Sequence, residues 1–289
     1  MADPKNNNKK RRGWVLLLVL SLLLIVGGVT AYILTHPWWT TDFDPSSVHS
    51  VETLTPPSGD PIASDSASTE PMIPGRNTEA TGETEEGLPA NPVDFDALHE
   101  INPDAYAWIY IPLGDGLDID HPIMQSSPTM DDNYYLHHNI YKEYYFSGCI
   151  YTQRCNAKDF SDRVTVVYGH NMLNGTMFSN LINFTKSDFF DAHDVFYIYT
   201  PGHILTYKIA AAVQFDKRHI LNSFDFSDDQ VYADWIRNYI KEPKVMVRAV
   251  RPDVEVTTDD KLVILSTCLV HNKYRYLIQG VLIDDVLTK

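Results

Sequence analysis

Residues Trp14 to Leu34, WVLLLVLSLLLIVGGVTAYIL, run without a single charged side chain. At ~1.5 Å rise per residue, a helix of this length crosses a hydrocarbon core of roughly 30 Å. A cleaved signal peptide would carry a shorter apolar region, ~7–15 residues, followed by a small-x-small site. Val29-Thr30-Ala31 could fill that role, but the apolar run continues through Tyr32, Ile33 and Leu34. The reading is therefore an uncleaved, single-pass anchor at 14–34. Lys9-Lys10-Arg11-Arg12 keep the basic segment 1–13 in the cytoplasm by the positive-inside rule, and Trp14 and Trp38-Trp39 suit the two interfaces. The anchor divides the chain and puts most of it outside the cell.

Charge follows the same division. The chain has 289 residues and a formal charge of −15. Before Gly13 stand five basic residues and one acid, leaving 18 of the 23 basic and 37 of the 38 acidic residues beyond. So acidic a body excludes a nucleic-acid partner on electrostatic grounds. Residues 36–92 hold nine of the 17 prolines, ten acids and one base, Arg76, with few large apolar residues to offset the entropy of ordering. We read 35–92 as a flexible, acidic, Pro/Ser/Thr-rich linker.

From Val93 aromatic and β-branched residues become frequent, and 93–289 reads as one folded domain. Asp94 is an N-cap candidate for a short helix over DFDALHEI, ended by Asn102-Pro103-Asp104. Short apolar or alternating segments follow, separated by turn residues. They predict strands near 106–111, 121–125, 147–152, 163–168, 195–200, 204–215, 262–267 and 275–283. Many short strands with few helices predict a mainly β fold, a closed or nearly closed barrel. Residues 228–240 break the pattern: Val231, Trp235, Ile236 and Tyr239 recur at helical spacing before Pro243. A shorter helix is expected at 176–183.

Three cysteines occur, an odd count that leaves at least one thiol unpaired outside the cell. Cys268 ends the run Leu262-Val-Ile-Leu-Ser-Thr-Cys, where a buried strand would hold a nucleophile rigidly; a small buried hydrophobe is the alternative reading. Cys149 and Cys155 could close a small disulfide loop if the backbone turns between them, or stay unpaired on a strand and the loop after it. Among eleven histidines, His170 stands out just past an apolar strand, in a Gly-His-Asn turn, with an imidazole able to switch near neutrality. His271, three residues beyond Cys268, is a competing base; His137-His138 and His219 read as loop residues. Arg275 opens the last strand. If that strand lies antiparallel to the Cys268 strand, its guanidinium can stabilise negative charge on sulfur or on an oxyanion; otherwise it is a surface charge. No HExxH or CxxC spacing occurs, so no metal site and no cofactor are expected.

These pieces resemble the sortase family, class B in particular, over most of 93–284. The resemblance rests on Ala107-Trp-Ile-Tyr-Ile-Pro, Asp120-His-Pro-Ile-Met-Gln, Tyr134-Tyr-Leu-His-His, Val167-Tyr-Gly-His-Asn-Met and Leu265-Ser-Thr-Cys with a following arginine. The last two, in this order and about one hundred residues apart, are the most specific. The resemblance implies an eight-stranded barrel in which Cys268, His170 and Arg275 meet at one end of a groove, with Leu265, Ser266, Thr267 and Asn171 as candidate substrate-binding residues. The segment between Cys268 and Arg275 is shorter than is usual in class B.

The resemblance further implies a thioacyl-forming cysteine transpeptidase on the outer membrane face of a Gram-positive bacterium. Its partners would be secreted proteins bearing a C-terminal sorting signal and the amine of a cell-wall precursor. A pilin-polymerising enzyme using a lysine amine, a secreted cysteine protease, and a non-catalytic tethered binding module are the alternatives.

Overall fold

A computed structural model describes residues 88–268 and 274–289. The expected anchor at 14–34 lies outside the described residues, as do His271 and all of the linker except its last five residues. Those five belong to the folded body. Asn91 Nδ2 donates to the Thr200 carbonyl at 2.9 Å and to Thr288 Oγ1 at 3.0 Å, and the Lys289 amide donates to the Pro89 carbonyl.

Nine strands form one sheet: β1 Ala105–Ile111, β2 Ile119–Gln125, β3 Ile150–Thr152, β4 Val164–Gly169, β5 Val195–Thr200, β6 His203–Asp216, β7 Arg248–Val250, β8 Leu262–Cys268 and β9 Tyr274–Leu287. Their order is β5-β1-β2-β3-β4-β8-β9-β6-β7, and β5 pairs also with β6. That extra pairing closes eight strands into a barrel and leaves β7 as an added edge on β6. Closure removes the open edges that an eight-stranded sheet would otherwise expose. Two register shifts in the β6–β9 ladder, at Thr206/Tyr207 and Ile209/Ala211, let these 14-residue strands bend around the wall.

Side-chain alternation sorts the core into layers. Val263 and Leu265 of β8, Tyr276 and Ile278 of β9, and Ile109 and Ile111 of β1 pack together in the barrel interior. Leu262 and Ile264 of β8, with Leu277 and Val281 of β9, face outward into a second cluster. A helix covers that second cluster.

Helix α1, Phe95–Ile101, starts where the sequence places it. Asp94 Oδ1 accepts the Ala97 amide at 2.9 Å, a cap contributing about 1 kcal/mol. Helix α2 is Ser187–Ala192, α3 is Ile220–Ser223 and α4 is Asp229–Trp235. The expected 228–240 helix is real, but its second half, Ile236–Lys241, is π-helical, with the Glu242 amide bonding to Arg237 O. The wider turn is held by Gln279 of β9. Its side chain accepts Trp235 Nε1–H at 2.8 Å and donates to Tyr239 O at 2.7 Å. Trp235 itself is 1 % exposed, so both partners are satisfied in a dry layer.

Two expected elements shift, and three short ones were not foreseen. The strand drawn at 147–152 begins at Ile150, because Gly148 takes φ +55 and a Cβ there would meet the Tyr135 carbonyl oxygen. The helix drawn at 176–183 is a 3-10 segment, Ser179–Thr185, since Met177 sits at φ +57 and bridges Asn171. Strand β7 and helices α2 and α3 escape sequence reading because each is too short to show a period.

Candidate active site

Strands β4, β8 and β9 are consecutive in the barrel wall. β4 and β8 run parallel, with Gly169 opposite Thr267 at their shared end. β8 and β9 run antiparallel, with Cys268 opposite Arg275. His170 follows Gly169 directly, so His170, Cys268 and Arg275 occupy one level at the same mouth of the barrel, on strands ~4.8 Å apart. The antiparallel arrangement on which a role for Arg275 depends is the one present.

Local packing fixes the end of β4. A Cβ on Gly169 would lie 2.6 Å from the Phe178 ring, so glycine lets the following turn fold flat against the strand. The turn is then pinned. The Phe178 amide donates to His170 O at 2.9 Å, and Ser179 Oγ accepts the Met172 amide at 2.6 Å. Asn171 and Met177 form an isolated bridge. The His170 ring therefore stands on a clasped turn with little backbone freedom.

The half-buried His170 ring has His137 5.4 Å and Phe146 5.8 Å away, centroid to centroid. Burial pushes its pKa down to about 4, and the neighbouring His137 and the Arg275 guanidinium push in the same direction. Each of the three disfavours the imidazolium. Tyr168, two residues earlier on β4, stacks on Tyr151 at 5.5 Å. Its hydroxyl is buried and has no hydrogen-bond partner among the described residues. Burial raises its pKa above the usual tyrosine range, and the Arg275 charge works against that rise. Arg275 thus acts electrostatically on both His170 and Tyr168.

The other candidates fall out differently. Leu265 is fully buried in the barrel interior, so it is a packing residue and not a groove wall. Ser266 and Thr267 are 3 % and 1 % exposed, closed off by the ladders on both sides, and neither offers an open surface to a substrate. Asn171 is half-buried in the turn after His170. The possible disulfide is absent: Cys149 and Cys155 are free thiols. Cys149 is buried among Tyr135, Tyr151 and Met124, whereas Cys155 is exposed beyond β3. The extended β3 between them, rising ~3.3 Å per residue, carries the two apart.

His219 is tied up as the cap of α3. Its Nδ1 accepts the Asn222 amide at 3.1 Å, which leaves Nε2–H to donate to Gln153 Oε1 at 2.6 Å. His138 stacks on Tyr134 at 3.8 Å. The contributions of His137, Phe146 and Tyr168 to the surroundings of His170 were not foreseen. The density of rings in Tyr134-Tyr135 and Tyr144-Tyr145-Phe146 is the signal that could have flagged the first two.

The family model described as "Sortase domain" matches residues 115–283. The chain is 31% identical to sortase B of Listeria monocytogenes over 189 residues, covering 64% of this chain and 72% of that protein. It is 26% identical to sortase B of Staphylococcus aureus over 174 residues, covering 60% of this chain and 67% of that protein. Among solved structures, Clostridium perfringens sortase B superposes with a TM-score of 0.58 at 30% identity, covering 66% of this chain and all of that one.

Proposed function

As this chain belongs to the sortase family, and within it to class B, we propose that Cys268 is the nucleophile of a membrane-anchored transpeptidase, with His170 as acid–base and Arg275 as anion stabiliser. The substrate is a C-terminal sorting signal of a secreted protein, and the acceptor is an amine of a cell-wall precursor. The observation that carries this reading is the register: Cys268 faces Arg275 across one ladder and lies one rung past the Gly169–Thr267 pair that precedes His170.

The Cys268 thiolate attacks the scissile carbonyl carbon, and the C=O electron pair moves onto oxygen. Arg275 stabilises the resulting oxyanion. The pair returns, the C–N bond breaks, and the His170 imidazolium gives its proton to the leaving amine. A thioester remains. An incoming amine attacks it, loses its proton to neutral His170, and expels the thiolate. With its pKa held near 4, the His170 imidazole is neutral in the free enzyme at pH 7. The reacting ion pair is a minority form. Neutral imidazole is nevertheless the form that the second half-reaction needs.

The anchor at 14–34 fixes the domain to the outer face of the membrane with the N-terminus inside, and the linker 35–92 supplies reach. Both the precursor and the secreted substrate are met at that surface.

The test is a peptide-library cleavage assay on the full chain in detergent, with an amine present and product masses read out. Ligated product from the parent and none from Cys268→Ala is expected, together with one fewer adduct with a thiol-reactive probe, exposed Cys155 still reacting. Full activity in Cys268→Ala would end the proposal. A greater loss in His271→Ala than in His170→Ala would move the base to His271.

A further inference from the structure

Between the 3-10 turn Tyr134–Leu136 and β3, residues 137–146 form a small hairpin. The Tyr145 amide donates to His137 O at 2.9 Å, the Asn139 amide donates to Glu143 O at 2.9 Å, and His138 bridges Tyr144. Lys142 takes φ +65 at the tip, and its ammonium is paired with Asp104 at 3.0 Å. The hairpin is well held, yet it exposes rings: Tyr144 is 72 % exposed, Phe146 50 % and Tyr141 46 %. Grouped exposure of large rings on so short a segment marks a contact surface.

The rings form a chain that ends at His170. The His137 ring lies 6.3 Å from Tyr144, 6.1 Å from Phe146 and 5.4 Å from His170. In the sheet, β4 lies between β3 and β8. The hairpin leads into β3, so its rings reach His170 from one flank while Cys268 and Arg275 occupy the strands on the other.

Proton transfer decides what belongs on the hairpin side. In the transpeptidase reading, on which this step rests, His170 gives a proton to one amine and takes a proton from another. Both amines must reach the imidazole, and the second enters where the first left. At neutral pH a free primary amine is an ammonium. Ring faces attract such a cation, the hairpin's own lysine is already neutralised by Asp104, and Glu143 adds a carboxylate.

We infer that the 137–146 hairpin is the docking strip for the acceptor: Tyr144, Phe146 and His137 hold it as a primary alkylammonium and lead it to His170. The ammonium sheds one proton to solvent as it leaves the strip, the free amine attacks the thioester, and His170 takes the second proton as the thiolate departs.

The experiment uses the full chain in detergent and the best-cleaved library peptide. Thioester partition between amine and water is measured for two nucleophiles: Nα-acetyl-lysine amide, which is cationic, and hydroxylamine, which is uncharged at neutral pH. Tyr144→Ala and the double variant with Phe146→Ala are expected to shift the lysine partition about tenfold toward hydrolysis and to leave the hydroxylamine partition in place. Tyr144→Phe, which keeps the ring, is expected to restore the lysine partition. Equal shifts for both nucleophiles would make the rings mere supports of His170 and overturn the inference. An unchanged partition, with or without a raised KM for the peptide, would overturn it as well; a raised KM would assign the rings to the leaving peptide. A parent chain that releases no peptide sinks the transpeptidase reading itself, a failure distinct from these.

Discussion

Cys268 and Arg275 are cross-strand partners on β8 and β9, one rung beyond the Thr267–Tyr276 pair, with five residues between β8 and β9. Arg275 also depresses the pKa of His170 on the far side of β8. Arg275 thus stands opposite the proposed nucleophile in register and acts on the charge of the proposed base.

Removing that charge has a definite sign. Arg275→Ala is expected to lower turnover by orders of magnitude and to raise the His170 pKa from about 4, since a positive neighbour disfavours imidazolium. Arg275→Lys keeps the charge, so the pKa stays low, but it loses the planar fork and recovers activity only partly. His137→Ala is expected to raise the His170 pKa as well. NMR titration of the His170 ring checks all three; a fall in pKa in either alanine variant would refute the electrostatic account.

Among the described residues, His170 and His121 are the histidines depressed furthest, and burial lowers His219 in the same direction. Burial depresses His170 and His121 to about 4, against an unfolded value of ~6.5. Between those pH values the unfolded chain binds more protons, so folding stability rises with pH across this window. The contribution is complete above pH ~6.5 and is lost as pH falls through about 4. Denaturant midpoints from pH 4 to 7, followed with the two ring resonances, test this. Rings that titrate near 6.5 would remove the effect.

Thiol accessibility separates the two cysteines that lie outside the proposed site. In Cys268→Ala a maleimide is expected to add once to the native protein, at exposed Cys155, and twice after denaturation, when Cys149 is released. Burial pushes the Cys149 thiol up to about 12, which leaves almost no thiolate even if reagent enters. Mass spectrometry counts the additions, and a native protein that takes none would mean that the two are joined after all.

Gln279→Leu tests the clamp between β9 and the π-helical turn. It strands the Trp235 indole N–H and the Tyr239 carbonyl without their bonds. Two buried groups left unpaired cost about 2–5 kcal/mol together. The denaturation midpoint should fall accordingly; an unchanged midpoint would show that solvent reaches the clamp.

Much of this was readable in residue order. The apolar run Leu262–Cys268 and the β-rich stretch 204–215 gave strands within two residues, because a short apolar run bounded by turn residues suits a strand buried on both faces. Asp94 announced α1 because a carboxylate one residue before an apolar face meets a free amide. His170 and Cys268 were named as candidate base and nucleophile from strand ends bearing a reactive side chain together with the sortase resemblance. The role of Leu265 was misassigned, because which face of β8 turns inward depends on its neighbours in the sheet. The Cys149–Cys155 pairing, left open in the sequence, is absent for a related reason: five intervening residues say nothing about whether the chain between them is turned or extended.

Sequence by itself determined the apolar run, the acidic body, the strand periods and the identities of the reactive side chains, since these are properties of short stretches of chain. Only the tertiary structure decided that β4, β8 and β9 are neighbours, that Cys268 meets Arg275 in register, and that a ring-bearing hairpin flanks His170. Those relations come from barrel closure, which pairs residues about one hundred positions apart, and no local pattern records which strand will lie beside which.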